Sequence, residues 1–137
     1  MNEGEFYETV YRYSEGRMRV ISRMMTRARG RRLKDELWVC LEGHRRFLGI
    51  ASTKLRDVGR VAPSKSRPNI EHIARQIGFG NDRGIVCAMM EESRRKMAKM
   101  LTERERQFGR RDFSALCAEI AAFEAESIKR LKGYLDQ

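Results

Sequence analysis

The stretch IAAFEAESIKRL, residues 120–131, sets Ile120, Glu124, Ser127 and Leu131 at steps of four, three and four. That spacing puts all four on one face of a helix. Ile120 and Leu131 mark the face as the one to be buried, yet it also carries a carboxylate and a hydroxyl. Buried polar groups persist where partners inside the core satisfy them. The stretch therefore predicts a helix packed against others around a polar layer.

Working outward, the same face extends over a helix from about Phe113 to Leu135, with the stripe Phe113, Cys117, Ile120, Glu124, Ser127, Leu131 and Tyr134. Asp112 is expected to cap it. A helix from about Arg83 to Gln107, capped by Asp82, buries Val86, Met89, Ser93, Met97 and Met100. The N-terminal half holds two more. One runs from about Glu3 to Arg27 with Tyr7, Val10, Ser14, Met18 (Arg17 beside it), Ile21, Met25 and Ala28 on its stripe. The other runs from about Leu33 to Val58 with Leu37, Leu41, His44, Leu48, Ala51, Leu55 and Val58. Gly30 and Gly109 break the paired helices.

The two halves repeat at an offset of 79 residues: GlyArgArg at 30–32 returns at 109–111, and Val10, Ser14, Met18 and Ile21 map onto Met89, Ser93, Met97 and Met100. Leu37 and Leu41 map onto Leu116 and Ile120. The fold expected is all-α, a four-helix bundle of two helical hairpins (about 3–58 and about 82–135) forming one domain over 1–137. The crossover, 59–81, holds both prolines and a short helix, IEHIARQI (70–77), capped by Asn69. It is longer than an antiparallel neighbour needs and long enough to run the length of the bundle, which would put the two GlyArgArg turns at opposite ends; the alternative is a plain up-down-up-down bundle, in which they share one end.

The chain has 137 residues, 41% hydrophobic and 35% charged, which suits one domain with a real core. No apolar run approaches the roughly 20 residues of a membrane span. MNEGEFYE is acidic and lacks the apolar stretch of a signal peptide, so a cytoplasmic location is expected. Cys40, Cys87 and Cys117 are far apart and fall in predicted helices, as small core residues rather than a disulfide frame or zinc site. The net charge of +10 is concentrated between Arg12 and Lys34, where nine Arg or Lys face only Glu15. Arg19, Arg23 and Arg27, followed by Arg31 and Arg32, form a candidate surface for an anionic partner; the alternative is a solvated face of a basic protein. Few aromatics accompany them, so stacking on single strands has little support.

FYETVYRYSEGRMRVISRM and MMEESRRKMAKMLTERE, as first helices of two related halves, and FSALCAEIAAFEAESIKRLKGYL, as the second helix of the latter half, resemble the ferritin-like superfamily, particularly its rubrerythrin-like members. The resemblance implies a ferritin-like bundle in which each half gives a Glu and a Glu-x-x-His to a di-iron site. Carried onto this sequence, it implies Glu92 (or Glu91) and Glu124 in the second half, with Ser127 where the His would stand. In the first half Glu15 matches the first Glu, and the Glu-x-x-His positions fall on Arg45 and Leu48. The ligand pattern is thus incomplete. The candidate metal set is Glu15, His44, Glu92 and Glu124, which is chemically adequate for iron, manganese or zinc. The competing expectation is no cofactor at all, with a polar core layer of Ser14, Ser93 and Ser127 around His44 and the carboxylates, and Arg45 as a neutralising cation.

Other signals carry less. The eight Met residues are core fillers, GFGN (78–81) has no preceding strand and is no nucleotide loop, and adjacent Glu71 and His72 make a poor metal pair. Trp38 flanks its stripe and suits a dimer contact. Three functions compete: a structural or partner-binding protein with a degenerate di-iron site, acting as a homo-oligomer (dimer) or with another protein; a non-standard iron or manganese oxidoreductase; and a basic nucleic-acid binder.

Overall fold

The computed structural model describes residues 2–63 and 81–136. All regular structure among them is helical: α1 (Glu3–Arg27), α2 (Arg31–Asp57), α3 (Asp82–Arg106) and α4 (Arg111–Leu135). These bounds agree with the predicted hairpins to within a few residues. The short helix expected over 70–77, its Asn69 cap, His72 and most of GFGN lie outside the described residues. No helix among those described is long and apolar enough to cross a membrane.

The described residues divide into two compact units that do not coincide with the two hairpins. The first combines α1 with residues 37–63, and the second combines residues 28–36 with α3 and α4. The unbroken α2 contributes to both.

In the first unit, Asn2 opens α1 with a reciprocal cap. Its side-chain oxygen accepts the Glu5 N–H at 2.8 Å, and its amide donates to the Glu5 carboxylate at 3.3 Å. The buried face of α1 is a strict heptad pattern, Tyr7, Val10, Ser14, Arg17, Ile21 and Met24, flanked by Phe6, Tyr13 and Val20. Met18 and Met25, expected inside, are only half-buried, and Arg17 and Met24 take their places. α2 ends in a Schellman turn: the Arg60 N–H bonds the Leu55 carbonyl at 2.8 Å, and Gly59 donates to Arg56 at 3.0 Å with φ at +72°. The turn delivers Arg60 to the start of α1. There its guanidinium pairs with Glu8 at 2.8 Å and lies over Gly4, where a Cβ would collide with it. The end of α2 thus meets the beginning of α1, and the pair runs antiparallel.

In the second unit the α3–α4 hairpin closes through Gly109, at φ +94°, with the Arg110 N–H on the Gln107 carbonyl at 2.9 Å. The caps differ from expectation. Asn81, not Asp82, caps α3, accepting the Arg83 N–H at 3.0 Å, and Asp112 lies in the first turn of α4 behind an uncapped Arg110. Asp82 instead reaches the α1–α2 turn, where its carboxylate accepts the N–H of Arg29 at 2.9 Å and of Gly30 at 2.7 Å. Further along, Arg130 pairs with Glu36 at 3.4 Å and Arg32 lies 5.8 Å over the Tyr134 ring. Stepping forward by four on α2 means stepping back by four on α4, so the first turns of α2 run antiparallel to α4 and parallel to α3. α2 itself is 27 residues long, about 40 Å. The course of the crossover expected over 59–81 lies largely outside the described residues.

One consequence is that GlyArgArg 30–32 and GlyArgArg 109–111 stand at opposite ends of the α3–α4 hairpin. They do not form a common basic patch.

Candidate functional site: the buried polar positions

The polar residues expected in the core are buried. Ser14, His44 and Glu124 are 0% exposed, Ser93 and Ser127 1%, and Glu92 9%. Burial also picks out residues that were not expected: Arg17 in the first unit, and Glu103 and Gln107 in the second.

The burial pattern corrects the internal repeat. α1 maps onto α3 at the offset of 79, pairing Ser14 with Ser93, Arg17 with Lys96 and Tyr13 with Glu92. The turn after α1 has one residue fewer than the turn after α3 (28–30 against 107–110), so α2 maps onto α4 at 80. The buried series Leu33, Leu37, Cys40, His44, Phe47 and Ala51 then matches Phe113, Cys117, Ile120, Glu124, Ser127 and Leu131. Hence the counterparts of Glu124 and Ser127 are His44 and Phe47, not Arg45 and Leu48. Phe47 is wholly buried and Leu48 only half-buried.

In the first unit His44 lies between aromatic rings, with Tyr13 and Phe47 each 6.1 Å away between centroids. The Ser14 hydroxyl is wholly buried and has no hydrogen-bond partner among the described residues. Leaving such a group unmet costs about 1–3 kcal/mol. Glu15 is at the margin of the core, its side chain 14% exposed, and pairs along the helix with Arg19 at 3.3 Å. Arg45 is excluded as a core cation. It is exposed, pairs with Glu42 at 3.0 Å and lies over Trp38. The buried guanidinium is that of Arg17.

In the second unit Ser127 turns its hydroxyl back to the Phe123 carbonyl at 3.0 Å, so it is satisfied inside its own helix. Glu92 is flanked by Lys96 at 3.7 Å and Arg95 at 3.8 Å, one and nearly one turn along. Nearer the hairpin turn, Gln107 donates to the Glu103 carboxylate at 2.9 Å in a buried bond. Burial, reinforced by the negative charge of Glu103, pushes the Cys117 thiol up to about 11. A thiol so held is no nucleophile at neutral pH.

Among the described residues no group of three or more His, Cys, Asp or Glu side chains is disposed to hold a metal ion. Of the anionic-partner residues, Arg23, Arg27, Arg31 and Arg32 are exposed and Arg19 partly so. Trp38 is 49% exposed. No protein-family model, curated protein or solved structure matches the chain.

Proposed function

We propose that the protein is a ferritin-like, rubrerythrin-like helical bundle in which the di-iron layer has given way to a packed polar layer, and that it serves as a structural or partner-binding protein. The observation that carries this reading is the corrected repeat. Where such a bundle would place a Glu and a His in each second helix, this chain has Glu124 and Ser127 in one and His44 and Phe47 in the other. Phenylalanine offers a metal nothing, and the Ser127 hydroxyl donates to a carbonyl of its own helix. The first helices support the same view, since the counterpart of Glu92 is Tyr13, a ring packed against His44.

On this reading the protein is cytoplasmic, needs no cofactor, and meets a second copy or another protein through a face that includes Trp38. The competing reading is an iron or manganese redox protein using Glu15, His44, Glu92 and Glu124. It is favoured by the burial of an imidazole and two carboxylates. Metal analysis of protein prepared without chelators, before and after aerobic iron loading, separates the two. The proposal expects no stoichiometric metal, and about two irons per chain, the complement of a complete carboxylate site, would overturn it.

A further inference from the structure

Within the second unit, one end brings together the starts of α2 and α3 and the finish of α4. Three contacts define it: Asp82 on the Arg29 and Gly30 amides, Arg130 on Glu36, and Arg32 over Tyr134. Arg29, Arg31, Arg32, Lys34, Arg83 and Lys132 are all exposed at this level. Apart from Arg32, which covers Tyr134, none of them forms an ion pair or ring contact among the described residues. The middle of the same unit differs. Arg95 and Lys96 are engaged by Glu91 and Glu92, and at the hairpin turn Arg106 and Arg110 are engaged by Glu103 and Asp112.

Acidic groups do little to offset this end. Glu36 is taken up by Arg130, and the Asp82 carboxylate by two backbone N–H groups. Among the described residues that leaves Asp35 and Asp136 exposed at this level. The positive ends of the α2 and α3 dipoles add to the cations. Among the described residues these cations are exposed, while Tyr134 and Leu135 beside them are half-buried. The large apolar side chains exposed in this unit, Leu101 and the 93% exposed Phe108, lie toward the opposite end of α3.

We propose that this end binds the phosphodiester backbone of double-stranded nucleic acid, through Arg29, Arg31, Lys34, Arg83 and Lys132. Uncompensated cations over rigid helix starts neutralise phosphates and release counterions without reading sequence. A lipid surface fits less well, because peripheral binding joins basic residues to exposed apolar ones, and among the described residues of this unit the large exposed apolar side chains, Leu101 and Phe108, stand at the other end of α3. Single strands fit less well too, because they need open rings for stacking and Tyr134 is covered by Arg32. The inference does not depend on the ferritin-like reading or on metal content.

The test is fluorescence anisotropy with labelled DNA and RNA duplexes of about 20 base pairs and arbitrary sequence, titrated between about 50 and about 200 mM salt. Neutralising four or five phosphates makes affinity fall about 10²- to 10³-fold over that range. The two duplexes distinguish which nucleic acid is the better ligand. Combined Arg31→Gln, Lys34→Gln and Lys132→Gln is expected to weaken binding at least about tenfold. A control with the same loss of charge elsewhere in the unit, Lys99→Gln, Arg104→Gln and Arg111→Gln, is expected to weaken it far less. All six positions are exposed, and a thermal melt by circular dichroism verifies that both variants fold. Equal losses in the two variants, salt-independent binding, no duplex binding at the lowest salt, or binding only to phosphatidylserine vesicles or single strands would each overturn the proposal.

Discussion

The Asp82 carboxylate bonds the Gly30 N–H at 2.7 Å and the Arg29 N–H at 2.9 Å, tying the first residue of α3 to the turn that begins α2. A side chain at the start of one helix thereby acts at the entry of another, distant in sequence by 52 residues. Replacing Asp82 by Ala leaves two amides to find other partners, and it is expected to destabilise the fold by about 1–3 kcal/mol. Asn, which retains an acceptor, is expected to lose about half as much. Urea denaturation of both variants measures this, and a loss below the error of the method would remove the tie from the account.

The change of repeat from 79 to 80 between the first and second helices predicts unequal costs at neighbouring positions. Phe47→Ala opens a cavity at a fully buried site and is expected to cost about 3–5 kcal/mol. Leu48→Ala, at a half-buried site, is expected to cost about 1–2 kcal/mol. A reversed order in chemical denaturation would restore the simple offset.

Two buried serines are expected to answer differently to alanine. Ser14 holds a hydroxyl with no hydrogen-bond partner among the described residues, so Ser14→Ala is expected to be neutral or stabilising by up to about 1 kcal/mol. Ser127 donates to a carbonyl of its own helix and has a further interaction besides, and Ser127→Ala is expected to cost about 1 kcal/mol. A loss above about 2 kcal/mol at Ser14 would mean that its hydroxyl has a partner in solution.

Cys117 makes the alkaline limb informative. Its folded value, about 11, lies above the ordinary 9.0, so the folded state holds the thiol proton more tightly. The associated stability is fully present below pH 9.0 and is lost as pH rises toward about 11. Stability measured across that window is expected to fall less steeply in Cys117→Ala. At neutral pH, alkylation followed by peptide mapping is expected to label exposed Cys87 first, and buried Cys40 and Cys117 only on unfolding.

Two glycines separate backbone need from empty space. Gly59 sits at φ +72° in the Schellman turn, and Gly59→Ala is expected to cost about 1 kcal/mol. Gly16 lies mid-helix with nothing within 4 Å of an added Cβ, and Gly16→Ala is expected to stabilise by about 0.5–1 kcal/mol. Melting temperatures of the two variants should move in opposite directions.

The helices, their breaks and the buried polar residues were legible in the sequence because three-and-four periodicity is a local property of the chain. Ser14, His44, Ser93, Glu124 and Ser127 all lie inside where the stripes put them. The α1 stripe, read through Met18 with Arg17 beside it, runs instead through Arg17, where the three-and-four heptad continues unbroken. Periodicity was the better guide there than polarity. Arg45 misled for the opposite reason: it stood beside the right position at a uniform offset, while a turn shorter by one residue had shifted the true counterpart to His44.

What the sequence determined by itself was this local part: the all-α character of the described residues, their four long helices, and most of the faces these bury. The tertiary structure decided the rest, because long-range partners follow from chain path and not from spacing. It turned Asp82 from a cap of its own helix into a tie on Gly30, set the start of α2 parallel to α3, and sent the two GlyArgArg turns to opposite ends of the α3–α4 hairpin. The stretch IAAFEAESIKRL keeps its polar pair inside, and the Ser127 hydroxyl is satisfied by a carbonyl of its own helix, a bond that periodicity alone does not reveal.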